Sequence, residues 1–287
     1  MTTIKHTTVT IQAMRQREEP IVMVTAYDAS QAGHAQDAGV DIILVGDSVG
    51  MVMLGYDTTI PVTLDDMVHH AKAVRRGAAN TMVLVDMPFA SYHQTVADTV
   101  RQAARIMQEA QADGVKLEGG TAIAPHIRAL SDAGIPVCGH LGLTPQSVLQ
   151  LGGYRVQGRD EKTAERMLAD ALALADAGAF LIVLECVPSA LGKLITAASP
   201  VPTIGIGGGP DCSGQVLVYH DLLGLNETRQ AKFVKSYASL RTQIVDGLRS
   251  YRNEVKERSF PTPAHGYDVA TAALEALAAR VRGSDSE

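Results

Sequence analysis

Short apolar runs rich in branched residues recur along the chain, each followed by a longer stretch of mixed polarity. The short runs lie at residues 21–26, 42–45, 82–85, 115–117, 136–138, 180–184, 203–206 and 216–219. Runs of this length, apolar on both faces, read as buried parallel strands. Between them, residues 29–38, 63–76, 96–112, 122–133, 163–177 and 189–197 read as helices. Gly39, Gly77, Gly134 and Gly178 stand where helices stop. Thr63 is placed to cap its helix, and Asp65 and Asp66 suit the positive end of that helix dipole. Eight strands alternating with helices predict one α/β domain, a (β/α)8 TIM barrel of ordinary size. A doubly wound open sheet is the alternative, but no Gly-x-Gly-x-x-Gly opens the first crossover.

The remaining segments are additions to this rhythm, and the whole of 1–287 reads as a single barrel domain. Residues 1–19 form an N-terminal segment with a short helix at 8–17, expected as a lid over one end of the fold. Residues 142–159 are a polar, glycine-rich insertion. A long helix is expected at 228–257, with Val234, Tyr237, Ile244, Leu248, Tyr251 and Val255 at helical spacing. The C-terminal extension, 259–287, holds one more amphipathic helix at 269–282, closed by Gly283.

Composition narrows the function. Hydrophobic residues make up 46% of the 287, enough for a large core, while aromatics are 4% and Trp is absent, so that core is expected to be aliphatic. A net charge of -6 with no basic cluster argues against a nucleic-acid surface. No apolar run approaches the ~20 residues of a membrane helix. The first residues, MTTIKHTTVT, lack the apolar core of a secretory leader. Cys138, Cys186 and Cys212 are widely spaced and odd in number, which fits neither a disulfide framework nor a paired metal motif. A reducing cytoplasm is the expected compartment.

The chemistry gathers at the strand ends. Tyr27 and Asp28 follow the first strand, and Asp47 and Ser48 the second; Asp86 follows the third. The fourth carries Lys116 and Glu118, the fifth leads to His140, and the sixth ends in Glu185. Gly207, Gly208 and Gly209 follow the seventh, and His220 and Asp221 the eighth. In a barrel all of these share the catalytic face. A helix starting at Asp47 or Ser48 is not expected, because 51–54 and Pro61 do not read as one. Lys116 and Glu118, two apart on a strand, point the same way. Asp47, Asp86 and Glu118 together would repel one another without a cation, and hard oxygen donors suit Mg²⁺. Each acid taken singly fits an ion pair or a cap equally well. Glu185, after FLIVL and before CVP, is expected in an apolar setting that suits a proton-abstracting base, the other reading being a structural ion pair. His140 fits a donor to a substrate oxygen or a core histidine, and His69 and His70 read as packing or surface residues. The glycine loop at 207–209 fits a phosphate loop or a close backbone approach. Together these groups suit enolisation of a 2-oxo acid: a divalent ion on the carboxylate and keto oxygens, Lys116 and Ser48 on the carboxylate, and Glu185 as base.

Ordered motifs carry a more specific resemblance. They include TAYD at 25–28, VGDSVGMVMLGYDTTIPVT at 45–63, DMPFASY at 86–92, VKLEGG at 115–120, IPVCGHLGLTPQ at 135–146 and GGYRVQGR at 152–159. LECVP at 184–188, PTIGIG at 202–207, GQVLVYHDLLGL at 214–225 and KFVKSY at 232–237 continue the series, with FP at 260–261 and His265 as a fainter echo. The chain resembles the ketopantoate hydroxymethyltransferases, barrel enzymes of the phosphoenolpyruvate/pyruvate superfamily. The resemblance implies Asp47 and Asp86 on Mg²⁺, Glu118 at or near the ion, Ser48 and Lys116 on the oxo acid, and Glu185 as base. It implies transfer of a one-carbon unit from 5,10-methylenetetrahydrofolate to 3-methyl-2-oxobutanoate, giving 2-dehydropantoate and tetrahydrofolate on the way to pantothenate. It also implies a homo-oligomer, a homodecamer in the family's common form. One loop departs from the family run: Gly208 replaces a usual Ala, and Ser213 stands where an acid is usual, with Asp211 nearby. The competing readings are a Mg²⁺-dependent C–C lyase acting on a 2-oxo acid and a non-catalytic barrel. Folate dependence separates the first of these. The second would have no use for Glu185 and Lys116 together.

Overall fold

The computed structural model describes residues 5–226 and 231–283. The chain divides into two compact units, Met1–Ala238 and Ser239–Glu287. The first unit is a closed barrel of eight parallel strands in sequence order. It begins with α1 (Thr8–Gln16), β1 (Ile21–Thr25), α2 (Ala29–Asp37), β2 (Ile42–Val45), α3 (Val49–Val52), α4 (Leu64–Gly77) and β3 (Met82–Asp86). α5 (Val96–Ala110), β4 (Gly114–Glu118), α6 (Ala124–Asp132), β5 (Val137–Gly142), α7 (Val148–Leu151) and α8 (Glu161–Asp176) follow. The unit closes with β6 (Leu181–Glu185), α9 (Ser189–Ala198), β7 (Thr203–Ile206), β8 (Gly214–Leu217) and α10 (Tyr219–Leu222). The second unit holds α11 (Leu240–Lys256) and α12 (Thr271–Gly283).

Two apolar clusters follow from the twofold period of the strands. Ile42 and Leu44, Met82 and Leu84, and Leu181 and Val183 face the barrel interior with Ile21, Met23, Cys138 and Ile204. The alternate residues Ile43, Val45, Val83, Val85, Leu117 and Ile182 face outward, against helix residues such as Met67, Ile106 and Leu174. Ile11 and Met14 of α1 join the interior cluster beside the first residues of the strands. α1 therefore closes the N-terminal end of the barrel and forms its floor. The inward parity, followed to the other end, arrives at Asp86, Lys116, Glu118, His140 and Glu185.

Several boundaries differ from the sequence reading, each for a local reason. A single helical turn, α3, does begin after Ser48, although Ser48 makes no capping hydrogen bond to it. β8 lies two residues earlier than expected, because Tyr219 and His220 already belong to α10. The long helix starts at Leu240 rather than Thr228, and residues 227–230 lie outside the described residues. Val234 and Tyr237 are not helical: Phe233 packs on the barrel's interior cluster, and Ser236 Oγ donates to the Asp221 carbonyl at 3.0 Å. Tertiary contacts here override helical spacing. The core is mainly aliphatic, but Tyr27 and Tyr92 are among its fully buried side chains. All three cysteines are free thiols. No helix among the described residues is long and apolar enough to cross a membrane.

Candidate active site

Gly46 ends β2 at an inward-facing position beside Asp86. A Cβ there would lie 2.9 Å from Ser48 Oγ and 3.4 Å from Asp86 Oδ2, so a larger residue would have to displace the Ser48 hydroxyl. The turn brings the Asp47 N–H to donate to Asp86 Oδ2 at 3.0 Å. Lys116 lies beside Asp86 in the register of β3 and β4, with its Nζ 2.9 Å from Asp86 Oδ1. His140 pairs with Glu118 in the register of β4 and β5. Its Nδ1 lies 3.2 Å from both Glu118 Oε1 and Lys116 Nζ. Its Nε2 lies 3.1 Å from Glu185 Oε2, close enough for an ion pair but off the line of a good hydrogen bond. One continuous chain of contacts thus runs from Asp47 to Glu185. Ser48 flanks it, its hydroxyl sharing a 2.8 Å hydrogen bond with Tyr27.

The electrostatics follow from burial. Asp47, Asp86, Lys116, Glu118 and His140 are each at most 5% exposed. Burial, then repulsion from Asp86 and Glu118, pushes the Asp47 carboxyl well above the usual carboxylate range. Burial also pushes Asp86 up, against the pull of Lys116. Glu118 moves the other way: burial raises it, but His140, Lys116 and the Gln146 N–H outweigh that. Lys116 is held charged by its three acidic neighbours despite burial. Burial and Lys116 pull His140 down, yet Glu118 and Glu185 hold it at about 9, above its ordinary 6.5.

That shift predicts a pH dependence. A raised folded value means that protonated His140 favours folding; the benefit is complete below pH 6.5 and lost as pH rises to about 9. At about 1.4 kcal/mol per unit this amounts to roughly 3 kcal/mol. Thermal melts of the metal-free protein in EDTA should show stability falling across that window, and His140→Gln should flatten the fall.

The predicted residues are therefore brought together: Asp47, Ser48, Asp86, Lys116, Glu118, His140 and Glu185 all line this end of the barrel. The expected setting of Glu185 needs correction. Its chain neighbours are apolar, but its carboxylate meets an imidazole, and 16% of its side chain is accessible. Two other residues singled out in the sequence, Asp28 and His70, have structural roles. Asp28 caps α2, accepting from the Gln31 N–H at 2.8 Å. His70 Nδ1 lies 2.7 Å from the Tyr27 carbonyl oxygen, a packing role. The glycine loop is a close backbone approach: a Cβ on Gly209 would meet Ser189, and one on Gly207 would meet Phe233. Ser213, at the departure from the family run, accepts from the Thr203 N–H at 3.2 Å, and Asp211 pairs with Lys193 at 3.4 Å. Neither touches the acidic cluster. Sequence reasoning set Tyr27 among the strand-end groups without giving it a role and missed the part played by Tyr92 and Gln146, which lie in the stretches DMPFASY and GHLGLTPQ but bear no charge.

The donor set fits a hard divalent ion in part. Asp86 Oδ1 is buried without a well-aligned hydrogen bond, and Asp47 is strained by repulsion that a cation would relieve. Both Glu118 oxygens are already engaged, by His140 and by the Gln146 N–H at 3.0 Å. Among the described residues no group of three or more His, Cys, Asp or Glu side chains is arranged to hold a metal ion by itself. Asp47 and Asp86 thus suit direct ligation, with other positions open to water and substrate as Mg²⁺ prefers. Glu118, whose oxygens are engaged much as those of Asp86 are by Lys116 and the Asp47 N–H, suits a place at or near the ion.

Fold and site define the class: a parallel (β/α)8 barrel with a buried acidic cluster and a lysine at its C-terminal mouth. Among solved structures, the chain resembles phosphoenolpyruvate phosphomutase from Streptomyces platensis subsp. rosaceus, with a TM-score of 0.59 and 14% identity over 98% of both chains. It also resembles 2,3-dimethylmalate lyase, a PEP mutase/isocitrate lyase superfamily member, at 0.55 and 15% identity over 96% of this chain and 98% of that one. These likenesses establish the fold. The family model for ketopantoate hydroxymethyltransferase matches residues 5–263. The 3-methyl-2-oxobutanoate hydroxymethyltransferase of Moorella thermoacetica is 58% identical over 257 residues, 90% of this chain and 96% of its own. That of Carboxydothermus hydrogenoformans is 54% identical over 267 residues, 93% of this chain and 97% of its own. The chain belongs to the ketopantoate hydroxymethyltransferase family and is an enzyme.

Proposed function

We propose that this enzyme transfers a hydroxymethyl group from 5,10-methylenetetrahydrofolate to 3-methyl-2-oxobutanoate, giving 2-dehydropantoate and tetrahydrofolate in pantothenate biosynthesis. The observation that carries the reading is the single buried run of contacts Asp47–Asp86–Lys116–His140–Glu185 on a chain 58% identical to a protein of that name. Asp47 and Asp86 would hold Mg²⁺, with Glu118 at or near the ion. A bound ion would supply Lewis-acid chemistry that stabilises the charge developing on enolisation. Lys116 and Ser48 hold the substrate carboxylate. His140 Nε2 faces Oε2 of Glu185, and Oε1 takes the C3 proton. Both C–N bonds of the folate methylene bridge break as water supplies the oxygen and the protons that N5 and N10 take up; the carbanion carbon bonds to the released methylene carbon, and the proton held by Glu185 goes to the new hydroxyl oxygen. The family resemblance supports self-association as a homodecamer and a cytoplasmic setting.

The test is product formation from both substrates. Purified enzyme with Mg²⁺ should yield 2-dehydropantoate only when methylenetetrahydrofolate is present. Cleavage of a 2-oxo acid or a malate derivative without folate would instead favour the lyase reading.

A further inference from the structure

We propose that Gln146 is a positioning residue that couples the geometry of Asp47 to that of the Glu118–His140 pair. This inference rests on the metal reading given above. Gln146 is 4% exposed and lies in the 3-10 turn Pro145–Ser147 that follows β5. Both its side-chain N–H donors and its oxygen are engaged. Nε2 donates to Asp47 Oδ2 at 2.8 Å and to the Met87 carbonyl at 3.0 Å. Oε1 accepts from the Tyr92 hydroxyl at 2.7 Å. Its backbone N–H donates to Glu118 Oε2 at 3.0 Å. The Tyr92 hydroxyl in turn accepts from the Glu118 N–H at 3.2 Å. One residue after β5 therefore ties together the ends of β2, β3 and β4.

The chemistry requires this residue type. A carboxylate of the same length has no donor for Asp47 or Met87 and would place a fourth negative charge in the cluster. Asn is one methylene shorter, and an apolar residue strands Asp47 Oδ2 and the Met87 carbonyl and leaves the Tyr92 hydroxyl only its 3.2 Å contacts with the Glu118 backbone. By holding Oδ2, Gln146 fixes the rotation of the Asp47 carboxylate and so the direction in which Oδ1 points. By holding Glu118 Oε2, it leaves Oε1 for His140. Outer-shell groups of this kind orient the ligands that touch a metal.

The test uses Mn²⁺ as the probe, with free ion followed by its electron paramagnetic resonance signal. Gln146→Met should raise the Mn²⁺ dissociation constant of the folded protein by ~10–100-fold. Tyr92→Phe, which keeps the ring and removes only the hydroxyl, should raise it in the same direction by less. A purely structural role would lower the melting temperature without moving the constant of the folded fraction. Wild-type binding that both variants leave unchanged overturns the assignment of Gln146 alone. Absence of Mn²⁺ binding in the wild type overturns the metal reading and this assignment with it. If Gln146→Met fails to fold, Tyr92→Phe decides the matter.

Discussion

Glu185→Gln should retain binding of 3-methyl-2-oxobutanoate and lose turnover by about 10²–10⁴-fold, the usual contribution of a general base. The amide keeps the length of the side chain, and its oxygen can still meet His140 Nε2, now 3.1 Å from the carboxylate. Lys116, Asp47 and Asp86 are untouched, so the contacts proposed to hold the substrate survive. What is lost is the ability to accept a proton. Calorimetric titration of the oxo acid in the presence of Mg²⁺, beside initial rates, separates the two effects. Retained turnover would move the base elsewhere; lost binding would mean that Glu185 holds the substrate or the site rather than the proton.

Asp47→Asn should have two effects of opposite sign. The folded Asp47 carboxyl titrates above its unfolded value, chiefly through burial and then through repulsion from Asp86 and Glu118. Its contribution to stability is present when it is protonated and lost as pH rises through the folded value, so the ionised form opposes folding. The neutral amide can still accept from Gln146 and should raise the melting temperature of the metal-free protein. The same change should weaken Mg²⁺ binding by more than the ~10–100-fold typical of outer-shell loss. Mg²⁺ should therefore raise the melting temperature of the wild type and leave that of Asp47→Asn nearly still. Asp86→Asn differs because it takes from buried Lys116 its nearest counter-charge, and breaking such a pair typically costs ~3–5 kcal/mol. An unchanged Mg²⁺ response in Asp47→Asn would remove it from the ligand set.

The barrel was legible because strand and helix periods alternate over most of the chain, and because the strand ends carry charge. β2 and β7 fall where the apolar runs at 42–45 and 203–206 place them. Helix ends set by local chemistry were legible too: the Thr63 hydroxyl accepts from the Asp66 N–H at 3.1 Å. What escaped was decided by contacts distant in sequence. Phe233 sits on the barrel cluster, so the segment around it is not helical despite its spacing. Glu185 meets His140 across the strand register, a neighbour that its own apolar flanks do not reveal. Gln146 hydrogen-bonds Asp47, 99 residues away in the chain, and an uncharged amide in a polar insertion gives no local sign of that. The charged members of the site were therefore readable from sequence, whereas the neutral groups that orient them were not.

The proposed function rests on removal of the C3 proton of 3-methyl-2-oxobutanoate at this site with the help of a divalent ion. Exchange of that proton in D₂O, followed by NMR with Mg²⁺ or with EDTA, tests it most directly. The account predicts loss of the C3 signal with Mg²⁺, its persistence in EDTA, and its persistence in Glu185→Gln. A C3 proton that remains in place with Mg²⁺ and methylenetetrahydrofolate both present would contradict it.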